Sequence, residues 1–121
     1  MGAQNNLGTM LDQCRGVAQN DVEAARWFRK AADQGHASAQ YNLGNMFAQG
    51  HGVAQSDVEA ARWFRKAADQ GNTGAQYNLG IMFSQGHGVA QSDVQAVRWY
   101  RKAADQGHVQ SQHELGNMLA V

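Results

Sequence analysis

Apolar residues recur along this chain at helical spacing. Over residues 37–49, ASAQYNLGNMFAQ, the positions Ala39, Leu43, Met46 and Phe47 fall at i, i+4, i+7 and i+8, one face of a helix. Over residues 57–69, DVEAARWFRKAAD, Ala60, Trp63, Phe64 and Ala67 fall at i, i+3, i+4 and i+7, and Val58, Ala61 and Ala68 widen the stripe. The spacing predicts two helices whose stripes are core. Between them, QGHGVAQSDV at 49–58 predicts a turn. Gly50 and Gly52 stop the first helix and permit positive φ. Ser56 caps the second helix, and Glu59 three residues on completes a capping box. Ser92 with Gln95 repeats the box, and Asn20 with Glu23 is a variant. Asp57 and Glu59 sit where the helix dipole favours negative charge. Gly71, after Gln70, stops the second helix.

The same pair of helices is written several times. QGHGVAQSDV returns unchanged at 85–94, and QCRGVAQNDV at 13–22 is a diverged copy. Tryptophan stands at 27, 63 and 99, and Leu-Gly at 7–8, 43–44, 79–80 and 115–116. At a shift of 36, residues 35–70 and 71–106 agree at 28 of 36 positions without a gap. A fixed period of this size marks a stacked array of one supersecondary unit. The units are expected at about 1–34, 35–70 and 71–106, with a half unit at 107–121, in the single domain that 121 residues suggest. Gly44 lies inside the first helix, where Gly costs about 1 kcal/mol relative to Ala. Its recurrence as Gly8, Gly80 and Gly116 points to close approach of the Trp63/Phe64 helix.

Composition narrows the function. The chain is 43% hydrophobic and 17% charged, as in a folded globular protein. Ten basic residues balance ten acidic ones, which argues against nucleic acid as a partner. No apolar run reaches the roughly 20 residues that span a bilayer. The stretch MGAQNNLG lacks the pattern of a secretory signal. Asn6 stands where a myristoylation signal wants Ser or Thr. Cys14 is the one cysteine, so an internal disulfide is impossible and the cytosol is permitted.

The residues A-x-A-Q-x-x-L-G-x-M-F-x-x-G-x-G-V-x-x-[SN]-D-x-x-x-A-x-x-W-[FY]-x-K-A-A-x-Q-G, fullest at 37–71 and 73–107, resemble the Sel1-like repeat, a relative of the tetratricopeptide repeat. The resemblance implies an all-α fold: a right-handed α/α superhelical solenoid of about three and a half 36-residue helix-turn-helix repeats. It implies a non-enzymatic scaffold for a protein or peptide, held in a concave groove lined by the first helix of each repeat. Some cysteine-rich relatives staple each repeat with a disulfide and are linked to β-lactam binding. This chain lacks paired cysteines, so a hydrolase or β-lactam-binding role is the alternative, beside a purely structural spacer.

On a helical wheel, Ser38, Tyr41, Asn45 and Ala48 lie opposite Leu43. Their equivalents are Gly74, Tyr77, Ile81 and Ser84 in one neighbouring unit, and Gly2, Asn5, Thr9 and Asp12 in the other. Tyr supplies contact area at low entropy cost, and amides can bond an extended backbone. The expected ligand-binding set is Asn5, Thr9, Ser38, Tyr41, Asn45, Tyr77 and Ile81.

Other constellations carry no chemistry. The bases on the second helices, such as Arg62, Arg65 and Lys66, would stack as a ladder, but Glu59–Arg62 and Arg65–Asp69 pair locally. His51 and His87 share a register one unit apart, too far for a common metal. His36, Asn72 and His108 follow stopping glycines and are expected to start helices. Cys14 has no recoverable base, and the GHGV turns lack the remaining features of a phosphate loop. No catalytic residue, cofactor or metal is expected. Leu7, Met10 and Leu11 near one end, and Leu115, Met118 and Leu119 near the other, are expected to expose apolar faces, through a longer array or through self-association.

Overall fold

The computed structural model describes residues 18–120. They form six helices and no strand: α1 (Ala18–Asp33), α2 (Ala37–Gln49), α3 (Asp57–Asp69), α4 (Thr73–Gln85), α5 (Asp93–Asp105) and α6 (Val109–Leu119). Each helix packs against its neighbours in the chain. Short connections between packed helices make neighbours antiparallel, so the chain climbs as stacked hairpins. The expected segments 37–49 and 57–69 are α2 and α3.

The core lies across the joints between units. One cluster joins Phe28 of α1, Leu43 and Met46 of α2 and Trp63 of α3; its copy joins Phe64, Leu79, Met82 and Trp99. Ala24, Ala31, Ala60 and Ala67 are fully covered, and these small residues let the helices approach closely. Gly44 belongs to that approach. A Cβ on it would stand 2.7 Å from the Phe64 ring, and one on Gly80 would stand 2.6 Å from the Tyr100 ring. Gly116 meets nothing within 4 Å, and Gly8 lies outside the described residues.

The turns follow from local bonding. The N–H of Gly71 donates to Ala68 O and that of Asn72 to Ala67 O, with Gly71 at φ 95°; this pairing closes a helix end in the Schellman manner. Ser56 Oγ accepts from the Glu59 N–H at 3.1 Å, and Ser92 Oγ from Gln95 N–H at 3.2 Å. The return half of the expected capping box is not made. The Ser56 N–H donates to Phe47 O instead, and the Glu59 carboxylate takes Arg62 at 2.8 Å. The Asn20 cap is also corrected. Helix formers Ala18 and Gln19 join the first turn, so α1 starts at Ala18 and Asn20 lies inside it. Gly88 has a second duty beyond its φ of 77°: a Cβ there would collide with the Asp57 carbonyl of the preceding unit. Gly52 meets the Asp21 carbonyl in the same way.

A buried glutamine fastens the opposite edge of each joint. Gln40, 4% exposed, donates to Ala32 O at 3.2 Å and accepts from Gln70 Nε2 at 2.8 Å. Gln76 repeats this with Ala68 O and Gln106. The carbonyls lie in the last turn of a helix, where orphan acceptors collect.

Two outcomes test this packing. Gly44→Ala lowers stability by about 1–3 kcal/mol through overpacking and Gly44→Leu by more, whereas Gly116→Ala is neutral or stabilising by up to about 1 kcal/mol; equal melting shifts for the three would refute the close-approach role. Gln76→Met lowers unfolding free energy by about 1–2 kcal/mol, because it removes a buried hydrogen bond to Ala68 O and a half-buried one from Gln106, and urea unfolding measures the change.

Candidate functional site

The first helices α2 and α4 lie side by side. Asn78 Nδ2 donates to Asn45 Oδ1 at 3.5 Å, and the Tyr41 ring covers Gly74, where a Cβ would sit 2.8 Å away. Two recesses open along this face. The first, about 410 Å³, is lined by residues including Phe28, Asn42, Asn45, Met46 and His51. The second, about 220 Å³, is lined by residues including Phe64, Asn78, Ile81, Met82 and His87. These five positions of the second recess are those of the first moved by one 36-residue unit, so the array repeats the heart of one recess, while Tyr41 and Gln49 line only the first and Ala48 and Asp57 only the second. Each has an apolar floor and an amide at its wall. An amide both donates and accepts, which suits a peptide backbone.

The expected site residues divide. Asn45 lines both recesses, Ile81 lines the second and Tyr41 edges the first. Tyr41 is also tied into the joint, with its ring centroid 6.0 Å from that of Phe64. Tyr77 lines neither recess: its ring packs 6.0 Å from Tyr100 and 4.7 Å from His108. Ser38 is exposed and lines neither. Asn5 and Thr9 lie outside the described residues, as do Cys14, Leu7, Met10 and Leu11. Asn42, Asn78, His51 and His87 were not among the expected residues. Their signal was the repeat itself, which carries YN and GHG in both the second and the third unit.

The electrostatics are mild. Burial, then the nearby Glu114 carboxylate and Tyr77, push the Tyr100 hydroxyl up to about 12, so it stays neutral at physiological pH. At the helix starts, Asn72 Oδ1 accepts from Ala75 N–H at 2.8 Å, and His108 Nδ1 accepts from Ser111 N–H at 3.1 Å. His36 takes the same position without a cap bond, and its Nδ1 is buried without a partner. Among the described residues, no three His, Cys, Asp or Glu side chains could hold a metal, and no helix is long and apolar enough to cross a membrane.

On the second helices, the expected pairs form: Arg62–Glu59 at 2.8 Å and Arg65–Asp69 at 3.5 Å. The tryptophans, expected as core, also carry cations on their rings. Arg29 stacks over Trp63 of the next unit, and Arg65 over Trp99, each 5.3 Å from the ring centroid. Lys66 covers Trp63 at 4.8 Å. Each cation–π contact contributes roughly 0.5–1 kcal/mol when exposed.

Stacked helix pairs with a repeated recess define a right-handed α/α superhelical solenoid. The Sel1 repeat family model matches residues 2–36, 37–72 and 73–108, and the chain belongs to that family. Its members are generally non-enzymatic scaffolds for protein–protein contacts. The chain is similar to c5321, a protective antigen of uropathogenic Escherichia coli with an SLR fold, at 41% identity and a TM-score of 0.92, over 97% of this chain and 25% of that one. It is similar to a Sel1 repeat protein from Oxalobacter formigenes at 38% identity and a TM-score of 0.89, over 95% of this chain and 47% of that one. The chain thus spans about a quarter and about half of these two relatives. Helicobacter pylori cysteine rich protein B shares the fold, at 24% identity and a TM-score of 0.74, over 77% of this chain and 70% of that one. No curated protein matches the chain.

The split between joint and recess residues predicts different stability effects. Tyr41→Ala lowers unfolding free energy by about 2 kcal/mol through lost aromatic packing, while Asn45→Ala changes it by no more than about 0.5 kcal/mol. Thermal melts of the two variants give the comparison.

Proposed function

We propose that residues 1–121 act as one domain, a non-enzymatic scaffold that holds an extended peptide segment of a partner protein across the first-helix face. The observation that carries this reading is the recurrence of one recess from unit to unit. A polymer with a repeating backbone matches a repeating recess, whereas a small substrate needs one unique pocket. Asn42 and Asn78 are suited to bonding the peptide backbone. Asn45 and Ile81 occupy the same register in successive units, and the difference between amide and branched alkyl would set side-chain preference. We assign Ser38, Tyr41 and Tyr77 of the same helices to the proposed contact, with Asn5 and Thr9 in the corresponding register of the first unit. The scaffold role general to Sel1 repeats points the same way.

Selection of peptides from a random display library against the full chain, followed by calorimetry on the enriched sequence, tests the reading. The double variant Asn42→Ala, Asn78→Ala weakens binding at least about tenfold, the equivalent of two lost hydrogen bonds, while far-UV circular dichroism keeps its helical signal. Unchanged affinity in that variant moves the partner off this face.

A further inference from the structure

The opposite face carries a second recurring feature. Between α3, α4 and the turn after α4, a cleft of about 340 Å³ gathers Val58, Leu79, Phe83 and Val89 with Arg62, Arg65 and Lys66. One unit earlier, Val22, Leu43 and Val53 with Arg26, Arg29 and Lys30 line a matching cleft of about 320 Å³. No carboxylate lines either cleft. The valines remain uncovered: Val58 is 59% exposed and Val94, in the same register, 71%.

Beside the first of these clefts lies a smaller one, about 180 Å³, that gathers Arg65, Arg98, Lys102 and Trp99 with Asp69 and Gln95. Here two units differ in charge. Glu59 holds Arg62 at 2.8 Å, but its equivalent is Gln95. Arg98 therefore has no ion pair among the described residues, and Asp69 is already engaged by Arg65. Lys102 lies over the Trp99 ring with no carboxylate of its own. An apolar cleft and a cationic cleft thus adjoin, sharing Arg65.

We infer that this second-helix face docks an acidic, apolar segment of a partner protein, seating an apolar side chain against Val58, Phe83 and Val89 and an Asp or Glu carboxylate at Arg98 and Lys102. Charge complementarity selects the occupant: Arg62 and Arg65 are already paired with Glu59 and Asp69, which leaves Arg98 and Lys102 as the cations beside the apolar cleft that an incoming carboxylate can neutralise. The shallow, repeated form of the clefts suits successive side chains of one chain better than a single long alkyl tail. This surface is separate from the first-helix face, and its test does not depend on that one.

Fluorescence anisotropy of the full chain with a labelled peptide of repeating Leu-Glu-Glu, against a Leu-Gln-Gln control and phosphatidylserine vesicles, tests the assignment. The acidic peptide binds at least about tenfold tighter than the control, and Arg98→Ala and Val58→Asp each weaken it by at least about threefold. Gln95→Glu weakens it similarly, because it gives Arg98 the internal partner that Arg62 already has, and it reproduces a residue another unit carries, so folding is preserved. His113→Ala, at an exposed position of α6 that lines none of the recesses or clefts described, leaves the affinity unchanged. Equal binding of the two peptides, indifference to Arg98→Ala and Gln95→Glu, or binding to the vesicles but not to the acidic peptide overturns the proposal.

Discussion

The structure depends on one constraint: the apolar core belongs to the joints and not to the units. Phe28, Leu43 and Trp63 meet only because the second helix of one unit is laid against both helices of the next. A hairpin alone would leave half of that surface in water. Fixing each backbone residue costs about 1–2 kcal/mol, and full burial of one large apolar side chain returns about 1.5–3 kcal/mol. A lone hairpin therefore has too little buried surface, and stability must come from stacking. The residues that meet at the joints accordingly recur almost unchanged, while the outward positions vary.

Polar groups complete what the apolar residues begin. The amide of Gln40 or Gln76 reaches a carbonyl in the last turn of the preceding helix and receives a second amide from its own unit. Satisfied buried amides of this kind specify register, since a slipped joint would leave them unpaired. The Arg–Trp stacks add a further tie between successive second helices. The two faces thereby come to differ: amides line the recesses on one, and cations rim the clefts on the other.

Much of this was legible in the sequence. The bounds of α2 and α3, the Ser56 and Ser92 caps and the local ion pairs follow from short-range rules, and the role of Gly44 followed from its recurrence in every unit. What was not legible depends on which groups meet once the helices have packed. Tyr77 reads as an outward residue on a helical wheel, yet Tyr100 and His108 cover it. The glutamine of the A-x-A-Q run drew no expectation of its own, yet it is buried and bonds a carbonyl of the preceding helix. The capping box was half wrong because Phe47 O, nine residues away, claims the Ser56 N–H. The recess residues Asn42 and Asn78 went unselected because a wheel ranks positions by angle and cannot see the next unit.

Gly88 presses against the Asp57 carbonyl at one margin of a joint, and Gln76 grips Ala68 O at the other. With both margins fastened, neighbouring hairpins cannot fan apart like the leaves of a book. The interval from one recess to the next becomes a fixed gauge, and a peptide of the kind proposed would have to arrive with matching pitch. Splicing in one more 36-residue block would add a single whole recess and leave the gauge as it was.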